Sequence, residues 1–331
     1  MGNRKFRAIV VEESTDKTFT RKIKERNTED LPDGDVLVRV LYSSLNYKDA
    51  LSATGNRGVT KNYPHTPGID ASGIVEESRS EKFSPGDQVI VTSYDLGMNT
   101  PGGFGQFIRV PAEWVVKLPQ NLSLKESMIF GTAGFTAGVG GWHLSSLRPD
   151  QGEILVTGAT GGVGSLAVAI LSQCGYSVTA ATGKTAEKQF LTDLGAKNII
   201  DRSELSDIVS RPLLKARWAG VLDTVGGDML AAAIKSTDLY GIVTCCGNAA
   251  SPNLPLTVYP FILRGISLIG ISSQNTPMDL RIKIWQKLSG QWKPEKLETL
   301  ARYILLEKLD ENISLILRAQ QKGRVVVDLG K

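Results

Sequence analysis

The chain has 331 residues, 41% of them hydrophobic and 22% charged, with a formal net charge of +4 that is spread along it without a basic block. That length exceeds the roughly 250–300 residues at which a single core stops growing, so two domains are expected, and the dispersed charge gives no case for nucleic acid as a partner. No run of about 18 apolar residues exists, and Met1-Gly2-Asn3-Arg4-Lys5-Phe6 has neither the apolar core of a secretory signal nor the Ser/Thr of a myristoylation site, so a cytoplasmic protein without a membrane span is expected.

Residues 5–120 read as short β-rich runs (Ala8-Ile9-Val10-Val11, Val36-Leu37-Val38-Arg39-Val40, Gly73-Ile74-Val75, Gln88-Val89-Ile90-Val91) broken by turns such as Pro32-Asp33-Gly34 and Pro85-Gly86-Asp87. They predict a β-barrel-like domain. From Ser123 the texture changes to strands alternating with helices: a helix over about 123–145, a strand at 153–156, and further strands around Ile199-Ile200, Gly220–Asp223 and Gly241–Thr244. This is the pattern of a doubly wound α/β sheet. Leu263–Ile269 reads as an edge strand of that sheet, a template for pairing across a twofold axis, and predicts a homodimer. The tail, with helices expected at 279–289 and 294–305 and a strand at Arg324-Val325-Val326-Val327, should return to the first domain. The division expected is 1–124, 125–272 and 273–331. Cys174, Cys245 and Cys246 are too few for a disulfide framework and read as buried thiols.

The chemistry begins at Glu153-Ile154-Leu155-Val156-Thr157-Gly158-Ala159-Thr160-Gly161-Gly162-Val163-Gly164-Ser165, where an apolar run empties into glycines and then into the helical run Leu166–Leu171. Side chains are absent where a pyrophosphate must approach the backbone, and the first N–H groups of the new helix would face the phosphates. A dinucleotide is expected, with Thr160, Gly161, Gly162 and Val163 as backbone donors; Ala159 stands where the strict fingerprint has glycine. NAD-specific sites grip the ribose 2′-OH with an acid about 20 residues further on. Here the strand Tyr176–Thr182 ends in Thr182-Gly183-Lys184, with Arg202 after the next apolar run. A hydroxyl, a backbone N–H and two cations suit a 2′-phosphate that a carboxylate would repel, so NADPH is the expected cofactor. The plain alternative for Lys184 and Arg202 is a solvated surface cation.

Across the whole chain these features, with Gly131-Thr132-Ala133-Gly134-Phe135-Thr136-Ala137, resemble the medium-chain dehydrogenase/reductase superfamily. Ser44-Leu45-Asn46-Tyr47-Lys48-Asp49-Ala50-Leu51, Pro67-Gly68-Ile69-Asp70, Val221-Leu222-Asp223-Thr224-Val225-Gly226 and Pro260-Phe261-Ile262-Leu263-Arg264 resemble its zinc-independent branch, the quinone oxidoreductase-like acryloyl-CoA reductases of YhdH/AcuI type. The resemblance implies a GroES-like β-barrel domain joined to a Rossmann domain. Zinc-dependent relatives place a Cys three residues before the position of Asp49 and a His-Glu pair after that of Gly68; Asn46, Ile69 and Asp70 stand here instead, so no metal is expected. Without a Lewis acid the acceptor must already be electrophilic, an enone, quinone or α,β-unsaturated thioester.

The resemblance implies hydride transfer to the β-carbon of acryloyl-CoA, giving propanoyl-CoA, and places Tyr47 at the nicotinamide and substrate end, where it either donates to the developing enolate or packs on the ring. Asn46 either donates to a carbonyl or caps the following helix, and Asp49 is expected to order the loop. Thr132, Asn248, Ile262 and Ser273 fall where the family's coenzyme site lies, and Gln320 and Arg324 are near enough to the tail's return to reach it, the plain alternative for Arg324 being a surface residue before the last strand. NADPH:quinone reduction, and NADPH binding without turnover as a sensor or structural protein, are the alternatives.

Overall fold

A computed structural model describes residues 3–205 and 211–331. Met1 and Gly2, read above for a targeting signal, lie outside the described residues. The chain forms two compact units, Met1–Thr132 with Gln274–Ile282 and Leu297–Lys331, and Ala133–Ser273 with Lys283–Lys296. In chain order the first unit supplies β1 (Lys5–Glu13), β2 (Phe19–Asn27), β3 (Val36–Ser44), helix α1 (Tyr47–Ser52), β4 (Asp70–Ser78), β5 (Gln88–Thr92), β6 (Phe107–Val110) and β7 (Val115–Lys117). Helix α2 (Leu124–Leu144) carries the division and leads to β8 (Glu153–Val156), α3 (Gly162–Gln173), β9 (Ser177–Thr182), α4 (Lys188–Asp193), β10 (Asn198–Asp201), β11 (Trp218–Asp223), α5 (Gly227–Lys235), β12 (Thr237–Cys245), α6 (Tyr259–Arg264) and β13 (Ser267–Gly270). Helix α7 (Met278–Leu288) carries a second division, and β14 (Ala301–Leu305), α8 (Leu309–Leu317) and β15 (Arg324–Asp328) complete the first unit.

In the first unit the sheet runs β14-β15-β3-β4-β5-β7, with β6 paired to β3, and β1 and β2 form a separate hairpin. Its core shows why the tail returns. Val36, Val38 and Val40 of β3 alternate inward beside Val325 and Val327 of β15, and Leu309 and Ile313 of α8 cover them. Each such side chain contributes about 1.5–3 kcal/mol when withdrawn from water, which is what recruits the tail.

The second unit is a doubly wound sheet of order β10-β9-β8-β11-β12-β13, every pair parallel. The order reverses between β8 and β11, so the crevice for a ligand opens beyond the carboxyl ends of those two strands. The glycine turn follows β8 directly. A Cβ on Gly164 would lie 2.3 Å from the Gly158 carbonyl oxygen, so only glycine lets α3 start this close to the turn.

Three expectations are corrected. Residues 294–305 do not form a helix: Leu297–Leu300 make a short 3-10 turn and Ala301–Leu305 become β14, drawn into parallel pairing by β15. The edge strand is shorter than Leu263–Ile269, because α6 runs to Arg264 and stops where Gly265 turns left-handed at φ 62°; Ser267–Gly270 is the terminal strand. Residues 273–331 do not all return to the first unit, since Lys283–Lys296 belongs to the second, where Trp285 stacks on Phe135.

Candidate functional site

In the second unit the residues expected to hold a dinucleotide stand along one edge of the sheet. Thr160 follows β8, Thr182 ends β9, Arg202 follows β10, Asn248 follows β12 and Ser273 follows β13, all at carboxyl ends of parallel strands. The switch point is knit by side chains the sequence reading missed. Asp223 at the end of β11 is buried; it accepts the Thr157 hydroxyl at 2.7 Å and the Gly226 N–H at 2.8 Å, and Thr224 donates its hydroxyl to the Thr157 carbonyl at 2.9 Å. Burial raises the Asp223 carboxyl against those bonds.

Helix α3 begins at Gly162, so the N–H groups of Gly162, Val163 and Gly164 point out of its first turn with no intrahelical acceptor. They are suited to a pyrophosphate. Gly161 is not: its N–H donates to the Gly158 carbonyl at 2.9 Å and closes the turn. One strand over, the backbone N–H of Lys184 is taken by the Thr182 hydroxyl at 3.0 Å, and Thr182 is buried, so these two shape the turn rather than offer that hydrogen. Parallel pairing sets Asp201 opposite Thr182 and brings Arg202 beside Gly183, where a Cβ would lie 2.7 Å from the Arg202 Nε. A guanidinium spread over a bare glycine next to Lys184, with no acid in the Thr182–Lys184 turn, fits a 2′-phosphate. The cradle and the paired cations together fit NADPH.

The first unit gathers a second constellation, centred on Asp70 at the start of β4. Its carboxylate, fully buried, accepts the Ser44 hydroxyl at 2.6 Å, the Asn46 amide at 2.7 Å, and both the N–H (2.9 Å) and the hydroxyl (2.6 Å) of Thr132. The Arg324 guanidinium lies 3.8 Å away and donates to Ser44 Oγ (2.8 Å), Leu45 O (3.2 Å), Asn46 Oδ1 (3.1 Å) and Ile129 O (3.0 Å). This corrects two expectations. Both hydrogens of the Asn46 amide are engaged, by Asp70 and by the Ser44 carbonyl, so Asn46 does not donate to a carbonyl from solvent; it stands ahead of α1, where Asp49 takes its backbone N–H at 2.8 Å. Arg324 is 2% exposed and its donors are satisfied inside the unit, so it is not a coenzyme ligand. Tyr47, the first residue of α1, is by contrast 56% exposed.

Asp49 is the second buried carboxylate here; its two oxygens accept the N–H groups of Asn46 and Ile69, both at 2.8 Å. Burial, and next the neighbouring Asp70, push it up to about 7. A carboxyl raised by folding stabilises below its unfolded value, and that contribution is lost as pH rises through the folded one. The unfolding free energy of wild type minus that of Asp49→Asn is therefore expected to fall between about pH 4 and about pH 8 in urea unfolding. An unchanged difference would show that Asp49 does not titrate in this range.

Asn248 is exposed, Ile262 lies on α6 with 67% of its surface exposed, Ser273 is half-buried, and Gln320 is exposed in the turn after α8. The three cysteines are free and half-buried; burial pushes Cys174 up to about 11 and Cys246 up to about 12, which keeps them as unreactive thiols. Among the described residues no three of His, Cys, Asp and Glu stand together in a way that could hold a metal ion, and no helix is long and apolar enough to cross a membrane.

A doubly wound sheet with a phosphate cradle and a cation pair at its carboxyl edge, joined to a β-rich unit with an exposed phenol beside a buried polar cluster, defines a two-domain oxidoreductase. Known proteins agree. Residues 32–120 match the alcohol dehydrogenase GroES-like domain family, and residues 162–289 match the zinc-binding dehydrogenase family, a stretch that does not reach positions 46, 69 and 70. The chain is 42% identical over 327 residues to acrylyl-CoA reductase AcuI of Ruegeria pomeroyi, spanning 98% of this chain and 99% of that one. The structure of the YhdH oxidoreductase of Salmonella enterica in complex with NADP matches with a TM-score of 0.94 at 40% identity over 97% of this chain and 99% of that one. YhfP of Bacillus subtilis, provisionally named a quinone oxidoreductase and solved with NAD bound, matches with a TM-score of 0.96 at 42% identity over 98% of this chain and 100% of that one. The chain belongs to the medium-chain dehydrogenase/reductase family, in the branch of AcuI, YhfP and YhdH.

Proposed function

We propose that this chain is an NADPH-dependent reductase of the activated double bond of a short α,β-unsaturated acyl thioester, with acryloyl-CoA reduced to propanoyl-CoA. The observation that carries the reading is the Arg202 guanidinium spread over Gly183 beside Lys184, at the end of the strand where a ribose would lie, in a chain 42% identical to an acrylyl-CoA reductase. Bound NADPH supplies a hydride and leaves as NADP+. The hydride adds at the β-carbon, the electron pair of the double bond moves onto the thioester oxygen, and a proton then closes the α-carbon. Tyr47 is the phenol offered to that oxygen: of the other polar groups of its loop, Asn46 and Asp49 are engaged in the interior and Lys48 donates to the Gln274 side chain at 2.8 Å, whereas Tyr47 is exposed.

The test is NADPH oxidation measured across acryloyl-CoA, crotonyl-CoA, simple enones and small quinones, with and without exhaustive chelation. Acryloyl-CoA is expected to be the best acceptor, and chelation to change nothing, since Asn46, Ile69 and Asp70 are not a zinc ligand set. Zinc at one atom per chain with activity lost to a chelator overturns the metal-free reading. A quinone preferred over every thioester selects the second reading, which the likeness to YhfP favours. Tight NADPH binding with no turnover selects a sensor.

The free thiols suit the reducing cytoplasm, and a homodimer is the proposed assembly. β13 terminates the sheet, and Leu239, Tyr240, Val258, Tyr259, Ile262 and Leu263 are exposed on β12, on α6 and in the residue before it, an apolar surface of the kind that subunits cover. Sedimentation at micromolar concentration is expected to give two chains per particle; monomer alone counts against it.

A further inference from the structure

The buried side chains of Asp70 and Arg324 both bond Asn46, the residue before the exposed Tyr47, and among the described residues the bonds of these two side chains run to two segments. Residues Ser44, Leu45 and Asn46 lead into α1; Ile129 and Thr132 flank Gly131, the point at which α2 breaks, with φ 50° and ψ −154°. Asp70 bonds Ser44, Asn46 and Thr132, and Arg324 bonds Ser44, Leu45, Asn46 and Ile129. The pair thus cross-links the turn that presents the Tyr47 phenol to the kink that presents Thr132. Direction is fixed as well: Thr132 gives its hydrogen to Asp70, so the Ser93 hydroxyl, 2.9 Å from Thr132 Oγ1, is the donor to Thr132. A buried ion pair of this kind rarely adds stability over apolar side chains of the same volume; what it adds is a defined arrangement.

We propose that Asp70 and Arg324 are positioning residues, which hold the Asn46–Tyr47 turn and the Thr132 hydroxyl in the geometry that the reaction uses. The proposal rests on the reductase reading above. Its test compares wild type with Asp70→Asn, Arg324→Gln and Arg324→Lys at saturating NADPH. Removing one charged partner is expected to lower kcat for acryloyl-CoA by about tenfold or more, to leave the NADPH dissociation constant within about twofold, and to raise the isotope effect with NADPH deuterated at the transferred position. Arg324→Lys, which keeps the charge but not the fork of donors, is expected to recover part of kcat.

Unchanged kcat, or a fall in NADPH affinity that matches the fall in kcat, or Arg324→Lys as impaired as Arg324→Gln, overturns the proposal. Ser44→Ala removes a hydroxyl shared by both charges, and it keeps the comparison decisive if the charge variants fail to fold. A readout without turnover separates the two claims: hydrogen exchange across residues 44–50 and 129–133 is expected to quicken in the variants while the coenzyme still binds. If wild type reduces no acceptor, the reductase reading fails, and unchanged exchange in these segments overturns the positioning role on its own.

Discussion

Replacing Lys184 and Arg202 together by alanine is expected to raise the Michaelis constant for NADPH by about 100-fold or more, while NADH kinetics stay nearly unchanged. A charge-assisted hydrogen bond to phosphate contributes roughly 1.5–3 kcal/mol, or about 10- to 150-fold in affinity. The two cations reach the end of β9 from different strands, Lys184 from the turn itself and Arg202 from the end of β10 across Gly183, so each can cover for the other's loss. Lys184→Ala alone is accordingly expected to cost about tenfold, and Arg202→Ala less. NADH lacks the 2′-phosphate and feels neither change. A wild type that uses NADH as readily as NADPH, or a double variant that keeps its full preference, would mean that the Thr182-Gly183-Lys184 turn is no phosphate site.

Gly131→Ala is expected to destabilise the protein by about 3 kcal/mol or more. At φ 50° and ψ −154° the backbone sits in a region essentially confined to glycine. A Cβ would also lie 2.4 Å from Asp70 Oδ2 and 2.5 Å from Ser44 Oγ, both fully buried. Gly141→Ala, in the same helix, meets nothing within 4 Å and is expected to be neutral or stabilising by up to about 1 kcal/mol. Urea midpoints of the two variants check the contrast; equal midpoints would show that the kink has room to relax.

What was legible in the sequence was local. The glycine turn after β8 announces itself because strand, turn and helix start follow within a dozen or so residues, and Lys184 is found by counting from it. The stop of α6 was equally readable in Arg264-Gly265, a basic residue before a left-handed glycine, yet the apolar run Ile266–Ile269 drew the expected strand back across it. What was not legible depends on partners far along the chain. Leu297, Leu300 and Ile304 have helical spacing, and only the presence of β15 makes Ala301–Leu305 a strand. Arg324 heads a strand and reads as a surface cation; nothing near it signals that Asp70 and Ser44 wait to receive it. Asp70 itself follows a Pro-Gly turn and shows its role only when the Thr132 N–H and hydroxyl converge on it.

The pairing of β15 with β3 also dictates an order of events during synthesis. Arg324 and the Ser44 it bonds are 280 residues apart, so the first unit cannot close its sheet or neutralise Asp70 until residues 324–328 have left the ribosome. All six strands of the second unit lie between β8 and β13 and can pair well before that. The nascent chain therefore holds the Tyr42–Ser44 end of β3, the stretch beyond the reach of β6, with an unsatisfied edge while its neighbour folds, and an unpaired strand edge is where a ribosome-bound chain is most exposed to misassembly with another copy of itself.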